Sequence, residues 1–303
     1  MLREATPGTI RFGVNMRSTE AETRYSVASR LKEVLGEMRR VAGSVDLHAR
    51  IEGMERFGIR PVLPIGLNTP QTRAIARGII RKTGRDQALA EALWETGIHD
   101  ARVLAALVGD PAAITRTTMD RWVRDFTDWG ICDACCCNLF DKSPHAWSRI
   151  DKWAQRRGEF VRRAAFATIA AIAVHDKTAD DRVFLGALPL IERYAFDERN
   201  FVRKAVNWAL RNIGKRNAAL RVEAMACAKR VRAQGTTSAR WIAADALREL
   251  KARSVAHPEA KACAQQGHLH ESGALQQEYP TLSVGRQREP DHPQVRKYRK
   301  ELG

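Results

Sequence analysis

Phe160-Val161-Arg162-Arg163-Ala164 returns forty-one residues later as Phe201-Val202-Arg203-Lys204-Ala205. Each copy opens a segment with helical apolar spacing. In the second, Phe201, Ala205, Val206, Ala209 and Ile213 form one stripe. A fainter third copy begins about forty residues further on, at Trp241-Ile242. A helical unit repeated at a fixed period buries its apolar stripe only by stacking on the next copy, so the period itself predicts a layered helical array.

A period near 41 falls in the range of HEAT and armadillo repeats, whose paired helices stack into a curved solenoid. The same reading extends in both directions. In the N-terminal part, helices are predicted over Glu20–Val41, Val45–Phe57, from Thr69 to about Gly84 (Thr69 as cap, Pro70 at the first helical position) and Asp86–Thr96. Further on they cover Asp100–Val108, Ala112–Phe126, Ile131–Leu139, Pro144–Arg156, Glu159–His175 and Asp180–Ala195. The last three are Phe201–Asn212, Ala218–Arg232 and Ala239–Lys251. No stretch alternates apolar and polar residues with β-branched enrichment. The expectation is an all-α, HEAT-like solenoid with a concave basic face. Residues 1–20 read as a lead-in, 21–251 as the repeat domain, and 252–303, interrupted by Pro, Gly and Gln, as a disordered tail.

Charge narrows the partner. The 303 residues carry 51 Lys+Arg against 35 Asp+Glu, a formal net charge of +16. Ser148–Arg253 alone holds 23 basic and 11 acidic residues, on segments rich in Ala, Ile, Leu and Trp. A surplus on folded elements makes a basic surface, for which duplex nucleic acid is the default polyanion. The longest run dominated by apolar residues, Ala164–Val174, is about half the ~20 residues that span a bilayer. The N-terminus shows no secretory signal. A cytoplasmic monomer without membrane attachment is expected. Four of the six cysteines crowd into Cys132–Cys137, with no second CxxC to complete a zinc site. They read as small buried thiols in a tight helix contact, and neither a metal nor a cofactor is expected.

Three groups of residues could carry chemistry. Lys204, Trp208, Arg211 and Lys215 share a helical stripe, where a Trp among cations suits a sugar-phosphate backbone or else covers a core boundary. Trp129 and Asp133, four apart, project together from the first turn of a helix. Asp133 there either complements the helix dipole or stands beside an aromatic wall to stabilise an oxocarbenium-like sugar. Arg156, Arg157, Arg162 and Arg163 form a cluster suited to phosphate or to a solvated turn.

These residues, with Trp94-Glu95-Thr96-Gly97-Ile98-His99-Asp100-Ala101-Arg102 and the full run Phe201–Lys215, resemble the DNA alkylation repair family, the AlkD-like DNA glycosylases built from HEAT-like repeats. The resemblance covers about residues 50–250. Family members often place an aromatic or an Asp beside the first Trp; here Asp128 precedes Trp129 and Gly130 follows it. The resemblance implies hydrolysis of the N-glycosidic bond of cationic N3- and N7-alkylated purines in duplex DNA, without base flipping. It also implies roles for residues: Asp133 as the catalytic carboxylate, Trp129 and Trp208 flanking the lesion's backbone, and Arg163 and Arg211 touching DNA beside it. Lys204, Lys215 and Arg162 complete the expected DNA-binding set. Some relatives bind DNA with little or no glycosylase activity, so a non-catalytic module for distorted or branched DNA is the alternative.

Overall fold

The computed structural model describes residues 16–256, with side chains from 26 to 253. The expected 252–303 tail lies outside this range from residue 257 onward, as does the lead-in up to residue 15. Thirteen α-helices and two single-turn 3-10 segments make up the described chain, and no strand occurs in it. They run α1 (Met16–Ala42), α2 (Leu47–Glu55), α3 (Thr69–Thr83), α4 (Gln87–Glu95), α5 (His99–Val108), α6 (Arg116–Trp122) and α7 (Trp129–Asn138). Then follow α8 (Ala146–Ala154), α9 (Glu159–His175), α10 (Asp181–Tyr194), α11 (Asn200–Arg216), α12 (Ala218–Ala233) and α13 (Thr237–Ala256). The first and last helices overrun the boundaries expected at 20 and 251.

The helices form two layers. α3, α5, α7, α9, α11 and α13 pack in series as one wall, and α8, α10 and α12 back its C-terminal half. α9 is the centre of that wall, touching α7, α8 and α11 most extensively. Every residue from Arg163 to Ala173 is buried, five of them apolar or polar residues larger than Ala and the rest Ala. Alanine side chains let flanking helices approach closely, and the cysteines of α7 use that room. Cys132 and Cys136 direct their thiols at the Phe160 and Ala164 carbonyls, at 3.7 and 3.6 Å. Burial pushes both the Cys132 and Cys135 thiols well above their ordinary range, so they pack as small apolar groups. Further toward the N-terminus the filling is aromatic. Trp94 and Trp122 stack at 4.1 Å, and Phe126, Phe140 and Trp153 continue the cluster. Among the described residues, no helix is long and apolar enough to cross a membrane.

Several helix starts shift by one to four residues from expectation, and two of them have a visible cause. Asn68, not Thr69, caps α3: its carboxamide accepts from Gln71 N, and the Gln71 side chain accepts from Asn68 N, a reciprocal box that starts the helix one residue earlier. The segment expected as one helix over Ala112–Phe126 begins only at Arg116. Thr115 accepts from Thr118 N and so fixes the start, and the helix tightens into a 3-10 turn at Val123.

The repeats are tied at one end by Asp197, in the α10–α11 connection. Its carboxylate accepts from Arg162 of α9 (2.7 Å) and from Arg199 (2.9 and 2.6 Å). Arg162 also donates to the Ala154 carbonyl and lies over Tyr194, while Arg199 reaches the Arg157 carbonyl. Arg162 and the loop after α8 therefore serve as a brace between repeats. The two guanidiniums outweigh burial and hold the Asp197 carboxyl below its ordinary value of 3.8. Asp197→Ala should lower stability by about 2–3 kcal/mol in urea titrations at neutral pH, since it strands two part-buried cations. A carboxyl with a lowered folded-state pKa stabilises fully above its unfolded pKa, and that share is lost as pH falls through the folded value. The wild type should accordingly lose stability in acid more steeply than the variant.

A carboxylate at the junction of three helices and the cations near it

α7 starts where its sequence dictates. Asp128, fully buried and extended, accepts from Ile131 N (3.1 Å) and from the Thr127 hydroxyl (3.3 Å), and so caps the helix. His99 Nε2 stands 3.6 Å from the same carboxylate. Trp129 is then the first helical residue, and Asp133 follows one turn later on its side. The Trp129 indole N–H donates to the Phe57 carbonyl at 2.8 Å, which pins the ring to the loop after α2. That loop needs glycine at 58, where φ is +77° and a Cβ would sit 2.7 Å from the Phe201 ring. Gly130 is confined too: a Cβ there would meet Asp128 Oδ1 at 3.0 Å and Ile59 Cδ1 at 3.2 Å.

Asp133 receives a two-pronged bond from Arg163 of α9, Nε to Oδ1 at 2.8 Å and Nη2 to Oδ2 at 2.6 Å. The third arm of that guanidinium, Nη1, donates to the Phe201 carbonyl of α11 at 2.7 Å. One side chain, only 3% exposed, thus joins α7, α9 and α11. Burial pushes the Asp133 carboxyl above its ordinary 3.8, the guanidinium pulls it back, and the net direction is upward. Each carboxylate oxygen keeps a lone pair beyond the one Arg163 uses, so the group can still orient a water or face a positive charge.

The α11 stripe divides into two halves. At its start, Lys204 has no carboxylate partner among the described residues, and burial followed by Arg163 and Arg203 lowers its pKa. Trp208 is half-buried and packs against the core. Further along, Arg211 pairs with Glu249 (2.7 Å) and Asp245 (3.4 Å) of α13, and Lys215 also pairs with Glu249. The structure thus brings Trp129, Asp133 and Arg163 into one cluster with Lys204 near it. It places Trp208 about 10 Å further along α11 than Phe201, at ~1.5 Å per residue. Arg211 and Lys215 have their charges matched from α13, and Arg162 faces the Asp197 brace. In the sequence Asp128 stands out only as the neighbour of Trp129 and Phe57 only as a helix end, and nothing marks Asp245 or Glu249 as partners of the α11 cations. Asp128 carries the ordinary signal of a cap residue before a helix, and Asp245 and Glu249, four apart, share a face.

An all-helical repeat wall with a carboxylate anchored at the junction of three of its helices defines a class of helical-repeat proteins. The chain matches the model of the DNA alkylation repair enzyme family over residues 43–250, and it belongs to that family. Its fold is similar to a solved structure described as "a new family of proteins related to the HEAT-like repeat DNA glycosylases with affinity for branched DNA structures". The two share 20% identity and a TM-score of 0.56, over 66% of this chain and 82% of that one. No curated protein sequence matches this chain.

Glu249→Gln removes the charge that Arg211 and Lys215 share. If those cations reach phosphates, duplex binding in salt titrations should tighten, and the slope of log K against log salt should steepen by about one to two. An unchanged slope would show that the α13 carboxylates face outside the DNA path.

Proposed function

We propose that this protein hydrolyses the N-glycosidic bond of cationic N3- and N7-alkylated purines in duplex DNA, and that Asp133 is the carboxylate that does so. The observation that carries the reading is the two-pronged Arg163–Asp133 bond, which fixes an acceptor of positive charge one helical turn from Trp129, with Lys204 near it. An alkylated purine already bears positive charge, so its departure as a neutral base needs little acid catalysis. As the C1′–N bond breaks, positive charge moves to the sugar, where a fixed, ionised carboxylate stabilises it most. Water then forms the new C1′–O bond and loses its proton toward Asp133, leaving an abasic site.

Arg163 acts in this reading as the positioner of Asp133. Lys204 and, once Glu249 yields them, Arg211 and Lys215 hold phosphates, while Trp129 and Trp208 line the backbone at the lesion. The base stays in the helix: a basic wall receives a duplex without the deep pocket that flipping enzymes use. The protein works as a cytoplasmic monomer and uses no cofactor.

A second reading has one observation behind it. The structural relative is described by its affinity for branched DNA, and on that reading the same face binds distorted DNA without chemistry. Base release separates the two. Wild type should liberate 7-methylguanine and 3-methyladenine from methylated duplex DNA, and Asp133→Asn should lower the rate at least 100-fold while binding persists. Because the ionised form is the active one and its pKa is raised, the rate should fall on acidification at a pH above 3.8, the ordinary carboxyl value. Binding with no release by wild type selects the second reading.

A further inference from the structure

Trp241 differs from the other tryptophans of the described chain. Trp94, Trp122 and Trp153 are buried, Trp129 is pinned to Phe57, Trp147 packs edge-on against Phe184, and Trp208 packs against the core. Trp241, in the second turn of α13, keeps 37% of its surface open to solvent. Arg203 of α11 lies over its ring at 5.1 Å. Arg203 has no carboxylate partner among the described residues: its Nη2 reaches only Asn200 Oδ1 at 3.4 Å, and its buried Nε has no acceptor. Lys204 beside it is equally without a carboxylate, and burial, then the neighbouring Arg163 and Arg203, disfavour its charge. The acids of α13 lie further along that helix and are engaged elsewhere. Asp245 takes Asn207, Arg211 and Arg248, and Glu249 takes Arg211 and Lys215. At the start of the α11–α13 pair Glu159 accepts from Phe201 N and Glu198 from Ser238 N, but neither carboxylate pairs with Arg203 or Lys204. Two cations without a salt bridge among the described residues and an open indole thus meet there, while the cations at the other end are paired.

We propose that Arg203, Lys204 and Trp241 form a subsite for one nucleotide whose base is unpaired, with the phosphate against the two cations and the base stacked on the indole. The proposal rests on the DNA reading above and extends it to the form of the DNA. Neighbouring cations that no carboxylate pairs with favour a phosphate oxygen. In an intact duplex both faces of every base are covered by neighbouring bases, so a surface indole can stack only on a base at an end, a gap or a single-stranded segment. α13 is the third helix after α7 in the wall. The subsite begins close to Asp133, because Lys204 on α11 neighbours the Arg163 that holds that carboxylate. It extends to Trp241 on α13, at most about 24–30 Å away at ~8–10 Å per packed pair, or about seven to nine base steps of ~3.4 Å. The preferred DNA is therefore a duplex that becomes single-stranded within one turn of the position held at Asp133.

Anisotropy titrations with unmodified DNA test this without base release. The probes are a labelled blunt duplex and the same duplex bearing a single-stranded thymidine extension. Wild type should bind the extended probe about tenfold more tightly. Trp241→Ala should abolish that preference while leaving blunt-duplex affinity unchanged, and Trp241→Phe should retain most of it. A wild type without preference, a Trp241→Ala variant that keeps it, or equal weakening on both probes would overturn the subsite. If Trp241 only caps Arg203, Trp241→Ala lowers the melting temperature and leaves the preference intact, which likewise overturns it. Failure of wild type to bind either probe would overturn this proposal together with the DNA reading. Blunt-duplex binding without preference overturns this proposal alone.

Discussion

A guanidinium buried at the meeting of three helices constrains everything around it. Arg163 stands on the central helix of the wall with almost no exposure, so its charge must be met inside the protein. Asp133 meets it from α7 and the Phe201 carbonyl from α11. Removing either charge leaves the other stranded, a loss of about 3–5 kcal/mol for a buried pair. The geometry that stabilises the pair also dictates where the carboxylate can be. α9 is lined with alanines and α7 with cysteines, so the two helices come close enough for a two-pronged bond.

The same junction is closed from above by the loop after α2. Phe57 holds the Trp129 indole, and Gly58 lies against the Phe201 ring, whose backbone carbonyl receives Arg163. The loop is itself anchored from the other side. The buried Asp100 carboxylate accepts from the backbone N–H groups of Ile65 and Leu67 at 2.7 and 3.0 Å, and His99 N donates to the Val62 carbonyl. A segment from the N-terminal part of the chain, more than seventy residues away from Trp129, thereby fixes the aromatic wall beside Asp133. Fold and site are coupled through few contacts, each short and directional.

Much of the fold is legible in the sequence because helical period and repeat period are local properties. The stripes through Phe160–Val174 and Phe201–Ile213, and their recurrence, are enough for an all-α repeat wall, and the ordered motifs from Trp94 to Lys215 are enough for the family. Side-chain partnership is not local. Arg162 and Arg163 are adjacent and chemically identical, yet one braces a loop through Asp197 and the other holds Asp133. The difference is a rotation of about 100° on one helix and depends on which helices flank it. Arg211 and Lys215 look like free cations because nothing in their own helix reveals that α13 brings Glu249 to face them. Asn68 and Thr69 are both good cap residues, and only the reciprocal bond with Gln71 decides between them.

Arg163 and Asp133 act as one unit rather than as a DNA contact and a catalytic carboxylate in separate roles. A double-mutant cycle on base release from methylated duplex DNA measures this directly, using Arg163→Met, Asp133→Asn and the pair. If the residues form one unit, each single variant loses about as much rate as the double, because removing either partner disables the same carboxylate. Losses that multiply in the double variant would contradict the account and return Arg163 to the DNA.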